Sequence, residues 1–247
     1  MVYLLLESIQ MKHSRQAWEA EYSTKRLMTG EKPPKSLLNW LKHVVLTKGL
    51  RGQSEKLGGM TVLDLGSGEG KNALHVALMG ATVHCIELAS NAVQTTIKRA
   101  KEERLSDRVL VTHGSIGTPY QFPNETFDLI IDVTSSNSLS ESERSTYLAE
   151  TARVLKSDGM MFVRALCRDG DANAKKLLQL HPGSEYDTYI QPDWGLVERV
   201  FTESDLQTLY GKHFTVEKLS KETHYTTIGV RKYKRNFWIL HLVKYKK

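Results

Sequence analysis

Cysteine, proline and long apolar runs are all scarce in this chain. Cys85 and Cys167 are its two cysteines, and they stand far apart. No paired spacing of Cys or His accompanies them, which excludes a disulfide framework and a zinc site legible from sequence, so no metal is expected. A reducing, cytoplasmic setting is the expectation that follows. No run approaches the roughly 20 apolar residues of a membrane span, so no membrane partner is expected. The opening residues, Met-Val-Tyr-Leu-Leu-Leu-Glu, lack a basic lead-in and do not read as a signal peptide. Residues 1–10 read instead as a loose extension ahead of a second methionine, Met11. Acid is missing altogether from residues 231–247, which hold seven Lys or Arg. The formal net charge is +6, so the rest of the chain carries −1 and the basicity belongs to the tail. That tail has two readings: a solvated strand edge guarded by lysines, or a surface for an anionic substrate or RNA. Repeats and low-complexity linkers are absent too. With 40% apolar and 25% charged residues, the composition is that of one globular domain with room for an added lid.

What the chain does have is a glycine-rich turn between a strand pattern and a helix pattern. Val62-Leu63 is a short apolar run ending at Asp64, and Gly66, Gly68 and Gly70 follow at alternate positions. Ala73, Leu74, Ala77 and Leu78 then recur at helical spacing. Glycine suits such a turn because the backbone bends sharply and must meet a ligand with no side chain between them. The spacing excludes two common sites. A dinucleotide fingerprint needs its third glycine at position 71, which is Lys71. A phosphate-cradling loop would need glycine at position 65 and Ser or Thr at position 72, where Leu65 and Asn72 stand. The turn therefore suits an adenosine ligand without a pyrophosphate.

Asp64-x-Gly-x-Gly-x-Gly resembles the first motif of the class I S-adenosylmethionine-dependent methyltransferases, and the downstream pattern extends the resemblance. Residues 82–86 form a second strand ending at Glu87, 23 positions after Asp64. A carboxylate there can accept hydrogen bonds from two ribose hydroxyls. A helix over 89–104 follows, with Ala89, Val93, Ile97 and Ala100 on its buried face, and a third strand over 109–112. His113-Gly114-Ser115-Ile116 stands where the family touches adenine, with Ser115 in place of the usual Asp. Residues 127–133 are a near-continuous apolar run, as a buried parallel strand requires. Asp132 and Asn137 lie at its carboxyl end, the end that faces the ligand in open parallel sheets. The N-P-P-[YF] motif of amino-group methylation on adenine or glutamine is absent. Ser140-x-x-Glu143 reads as a capping box for a helix with Tyr147, Leu148, Thr151, Val154 and Leu155 facing in. Arg153-Val-Leu-Lys-Ser-Asp-Gly159 looks like the family's R-V-L-K-P-G-G turn and leads into a fifth strand over 160–166.

The resemblance implies a doubly wound α/β fold with a seven-strand, mostly parallel sheet whose last strand is antiparallel. Residues 59–247 would form that domain and 1–58 an N-terminal helical cap. In the cap, Trp18 and Tyr22 stand at helical spacing, and Pro33-Pro34 opens a helix with Leu37, Leu38, Leu41, Val44 and Val45 on one face. Trp18 and Tyr22 read either as packing anchors or as lid contacts to the cofactor. The connection 167–201 is longer than the fold requires; part is helical (172–180), and the rest is rich in aromatics and turns. It reads as a substrate lid or as a plain surface excursion. A helix capped by Thr202 and Asp205 ends near Gly211, and strands over 214–219 and 237–244 close the sheet. The segment joining them, with His224, Tyr225 and Arg231, would emerge on the ligand side.

The expected activity is methyl transfer from S-adenosylmethionine to a nucleophilic N, O or S of a small molecule. An RNA or protein acceptor held by the basic tail is the alternative, and a non-catalytic cofactor-binding module the second. The resemblance places the cofactor on Asp64, Gly66, Ser67, Gly68, Gly70, Glu87, Leu88, Ser115, Ile116 and Asp132, with Tyr22 from the cap. Candidates for the acceptor are Asn137, Arg164, Tyr189, Trp194, His224, Tyr225 and Arg231. No catalytic base is assigned, although Asp132, Tyr22 and His224 have suitable chemistry.

Overall fold

The computed structural model describes residues 14–24, 32–52, 55–192, 195–228 and 231–245. Seven strands form one sheet in the order β3-β2-β1-β4-β5-β9-β8. They are β1 (Thr61–Leu65), β2 (Thr82–Glu87), β3 (Val109–His113), β4 (Phe127–Val133), β5 (Leu155–Leu166), β8 (Phe214–Ile228) and β9 (Arg231–Lys244). β9 runs antiparallel to both β5 and β8, while β1 to β5 pair in parallel. The expected class of fold is therefore the observed one.

Helices cover both faces, as parallel strands demand. On one face α2 (Lys35–Thr47), α3 (Lys71–Leu78) and α4 (Ser90–Glu102) pack over Val62, Val83, Leu129 and Phe162. On the other, α5 (Glu141–Val154) and α7 (Glu203–Tyr210) pack over Leu63, Ile130, Met161 and Val163. Alternation along β4 shows why its run reads as continuous: Ile130 faces one helical layer while Leu129 and Ile131 face the other. The capping boxes of α5 (Ser140, Glu143) and α7 (Thr202, Asp205) are both formed.

Several expectations are corrected. Leu78 is 63% exposed: at 100° per residue it lies about 140° around α3 from Ala73, and Val76 fills the inner face instead. Ile97 is also exposed, and Thr96 takes its inward place for a reason given below. Trp40, absent from the expected face of α2, is its fully buried anchor against Phe162, while Leu38 is only partly buried. No loop separates α5 from its strand, since β5 begins at Leu155 directly after Val154. β8 and β9 are far longer than 214–219 and 237–244, so His224, Tyr225 and Arg231 belong to a paired ribbon rather than to a loop. Within 167–201, α6 (Ala172–Leu180) stands as expected, and an unforeseen hairpin of β6 (Thr188–Ile190) and β7 (Val197–Arg199) follows it.

Candidate active site

The turn after β1 is built from backbone. Gly66, Gly68 and Gly70 all have positive φ, at 66°, 55° and 79°. A Cβ on Gly66 would lie 2.4 Å from the Ser135 hydroxyl, one on Gly68 2.6 Å from the Tyr22 hydroxyl, and one on Gly70 2.6 Å from the Thr96 methyl. Each glycine is thus required twice, by dihedral and by space. Side chains absent from the sequence-based set secure the turn. Thr96 donates to the Gly68 carbonyl at 2.9 Å, Arg99 to the Glu69 carbonyl at 2.8 Å, and Ser135 to the Gly66 carbonyl at 3.1 Å. The inward turn of Thr96 follows from the first of these bonds. No motif marks these residues, because their contacts cross 28, 30 and 69 positions of sequence.

Glu87 ends β2 with its carboxylate buried and aimed by two amides. Oε2 accepts from Gly68 N–H and Oε1 from Ala89 N–H, both at 2.8 Å. Each oxygen keeps lone-pair capacity for a further donor. Burial raises its pKa, and the backbone bonds from Ala89, Gly68 and Leu88 oppose that rise. Asp64 differs. It is 1% exposed, and among the described residues neither carboxylate oxygen meets a donor in hydrogen-bond geometry. Burial lifts its pKa to about 7, with Asp132 and Glu87 adding and the Ala73 amide and Lys71 opposing. Ser67 is buried with its hydroxyl toward the Cys85 thiol, a thiol that burial pushes well up.

The helix over 14–24, α1, lies across this turn. Glu19 accepts from the amides of Ser90 and Asn91 at 2.6 and 3.3 Å, capping α4, which has no side-chain cap of its own. Tyr22 stacks on Trp18 at 5.9 Å and sets its hydroxyl over Gly68. Burial raises the Tyr22 pKa well above its usual value, with Glu87, Glu69, Glu21 and Asp64 adding. Leu88 is half-buried, and its carbonyl meets His113 Nε2 at 2.9 Å. The Ser115 hydroxyl accepts from Gly117 N–H, and Ile116 is buried beside it.

Asp132 is fully engaged. Oδ1 accepts from the Ser135 and Ser136 amides, and Oδ2 from the Tyr147 hydroxyl at 2.7 Å. Its chemistry is that of an anchor for the chain after β4 rather than of a base. Asn137, 1% exposed, accepts from Leu166 N–H at 3.0 Å and leaves its Nδ2 without a partner among the described residues. Arg144, not foreseen from sequence, donates to the Ser136 and Leu139 carbonyls at 2.6 Å and holds this bend from below.

The acceptor-side candidates divide. Tyr189 is fully buried in the small core of the 167–201 insertion, its hydroxyl donating to Glu198 at 2.8 Å and receiving Arg235 at 3.2 Å. Arg164 sits over the Phe237 ring, its Cζ 3.4 Å from the centroid, with Glu222 at 3.5 Å. His224 and Tyr225 are exposed on the ribbon, Arg231 is the first residue of β9, and Trp194 lies outside the described residues. A separate groove of about 740 Å³ runs between α2 and β8, lined by Lys35, His43, Lys218 and His241, and no residue of the glycine turn lines it.

Residues 62–159 match the model of a family described as a methyltransferase domain. Among solved structures, a SAM-dependent methyltransferase from Methanosarcina mazei is 20% identical with a TM-score of 0.66, covering 81% of this chain and 98% of its own. A Burkholderia thailandensis 1,6-didemethyltoxoflavin N1-methyltransferase, solved with 1,6-didemethyltoxoflavin and S-adenosylhomocysteine, is 18% identical with a TM-score of 0.67, covering 95% and 88%. At these identities the likeness is one of fold. A ribosomal protein L11 methyltransferase from Desulfitobacterium hafniense is 37% identical over 62 residues, which are 25% of this chain and 20% of that protein. Residues 62–159, from β1 into β5, thus match a methyltransferase domain, and the seven-strand topology is the fold of the class I, Rossmann-like methyltransferases that the sequence resembles.

Proposed function

We propose that the chain moves a methyl group from S-adenosylmethionine to a nucleophilic N, O or S of a small-molecule acceptor. The observation that carries this reading is that Tyr22 covers the glycine turn while a long insertion leaves the carboxyl end of β5. On the donor side Tyr22 and α1 roof the glycine turn, and on the acceptor side the insertion 167–201 is pinned down by Arg235 through Tyr189 and Asp171. Residues 1–58 then act as a cap and 167–201 as a substrate lid on a core of 59–247. Covers of this kind exclude water and favour a compact acceptor. The Burkholderia relative, which holds a small heterocycle, supports the same class.

The donor fits the residues present. Glu87 has lone pairs left for the ribose hydroxyls. The bare backbone of Gly66, Gly68 and Gly70 allows close approach, since any Cβ there would meet a neighbour. Asp64 offers a buried carboxylate whose oxygens meet no donor in good hydrogen-bond geometry among the described residues, suited to the ammonium of the methionyl portion. Ser67, Leu88, Ser115 and Ile116 complete the proposed donor set, with the last two toward adenine. When bound, S-adenosylmethionine supplies an activated methyl carbon with a good leaving group. The chain's task is alignment and water exclusion. A base is needed only for an acceptor that arrives protonated, and the engagement of Asp132 argues against that residue.

An RNA or protein acceptor is the second reading, favoured by the basic ribbon and tail. A turnover assay for S-adenosylhomocysteine release, run with small acceptors and with RNA across a salt series, separates the two. Release with a small acceptor and a flat salt response supports the first. A steep loss with salt supports RNA. Binding without any release would leave a cofactor-binding module.

A further inference from the structure

Beyond the glycine turn, the side chain whose chemistry is least used is Arg164. It sits near the carboxyl end of β5, paired with Ile239 on β9 and Val133 on β4. Its side chain is 12% exposed. Guanidinium offers five N–H donors, yet the Nε of Arg164 is buried and meets no acceptor in good hydrogen-bond geometry among the described residues. The one counterion is Glu222 at 3.5 Å, an ion pair too long for a good charge-assisted hydrogen bond. Phe237 lies against it, with its ring centroid 3.4 Å from Cζ, a contact that leaves the N–H edge as the reactive side.

Arg235 and Lys71 both lie near enough to Arg164 to act on its charge, and Asp171 and Asp64 act on them in turn. Burial pulls the Arg164 pKa down to about 10; Glu222 opposes that fall, and Arg235 reinforces it. Lys71, at the start of α3, is lowered by burial and then by Arg164. Arg235 has a partner of its own in Asp171 at 3.5 Å. His224 stands opposite Arg235 on the ribbon, two residues beyond Glu222 and therefore on the same face. A buried guanidinium with a poorly matched Nε and cationic neighbours is costly unless an anion completes it.

Position in the sheet says which anion. The donor turn hangs on β1 and β2. β5 lies two strands away, across β4, and β9 three. At about 4.8 Å per strand that is roughly 10 and 14 Å, which is the acceptor side of the crevice. We infer that Arg164, held over Phe237 and flanked by Arg235 and His224, binds an anionic group, a carboxylate in the first instance, on the methyl acceptor. The inference rests on the methyl-transfer reading and narrows its substrate class to anionic small molecules. Glu222 is the internal counterion that the acceptor's carboxylate supplants.

The test uses the full chain saturated with S-adenosylhomocysteine and titrated calorimetrically with malonate, with malonamide as the uncharged control. Malonate binds and malonamide does not. Arg164→Gln weakens malonate at least tenfold, and Arg164→Lys weakens it less. Glu222→Gln, a change on a partly exposed side chain, tightens it several-fold. S-adenosylhomocysteine affinity stays within twofold in all three variants. Unchanged malonate affinity in Arg164→Gln, or in Glu222→Gln should the arginine variants not fold, overturns the inference. So does loss of S-adenosylhomocysteine with malonate binding unaltered, which would assign Arg164 to the donor's own carboxylate. Failure of the wild type to bind S-adenosylhomocysteine strikes the methyl-transfer reading first. Donor binding without malonate binding strikes this inference alone.

Discussion

The two halves of the crevice are built on different principles. The proposed donor side is made of backbone and of residues close in sequence: three glycines within five positions, and a carboxylate held by amides at positions 68 and 89. The proposed acceptor side is made of side chains gathered over long distances: Arg164 with Glu222 and Phe237, Arg235 with Asp171 and Tyr189, Asn137 with Leu166. The donor half leaves little room for variation, since backbone geometry admits few residue types. The acceptor half is assembled from replaceable parts, which is how one fold serves many substrates.

The largest expected effect breaks the donor half. If Glu87 grips the ribose as proposed, Glu87→Ala removes two charged hydrogen bonds to it, at about 2 kcal/mol each, and frees the Gly68 and Ala89 amides. S-adenosylhomocysteine affinity by calorimetry should fall roughly a thousandfold; a loss under tenfold would undo the assignment. Asp64 gives the next effect. Its pKa stands at about 7 against an ordinary 3.8, so the ligand-free fold binds the proton more tightly than the unfolded chain does. Stability is therefore lost as pH rises from about 4 to about 7, by on the order of 4 kcal/mol. Urea unfolding of the ligand-free protein at pH 5 and pH 8 should show that loss, and Asp64→Asn should flatten it. An equal pH slope in the variant would exclude Asp64 as its source.

Two smaller effects sharpen the contrast. Arg235→Ala cuts the tie between ribbon and insertion, but Asp171 keeps the amides of Asn173, Ala174 and Asn236. The expected cost is about 2 kcal/mol, read as faster proteolysis within 172–201 with donor affinity little changed. Glu19→Ala removes the borrowed cap of α4, at about 1 kcal/mol. Stopped-flow release of S-adenosylhomocysteine should quicken about fivefold while its association rate holds. An unchanged release rate would show that α1 does not close the donor side.

The legibility of the sequence followed the same division. The strand–turn–helix around Asp64, Glu87 at the end of β2, both capping boxes and α6 are local patterns, and all stand where the sequence puts them. The misreadings were long-range in origin. Thr96 faces inward because the Gly68 carbonyl lies 28 positions away, Trp40 is an anchor because Phe162 and His241 wait beneath it, and Tyr189 is a packing residue because Arg235 and Glu198 claim its hydroxyl. Residues 220–236 read as a connecting segment between two short strands because their polar alternation carries no sign of the pairing that extends both strands.

From residues 60–90 alone the proposed donor site could be specified, because positive φ, close approach and a strand-end carboxylate are properties of a short segment. Which cation meets which anion on the other side was decided by the order β5-β9-β8. That order brings Arg164 within reach of Glu222 and Phe237, which pair with each other one rung pair along from Arg164 and Ile239, and no periodicity within any single strand encodes it.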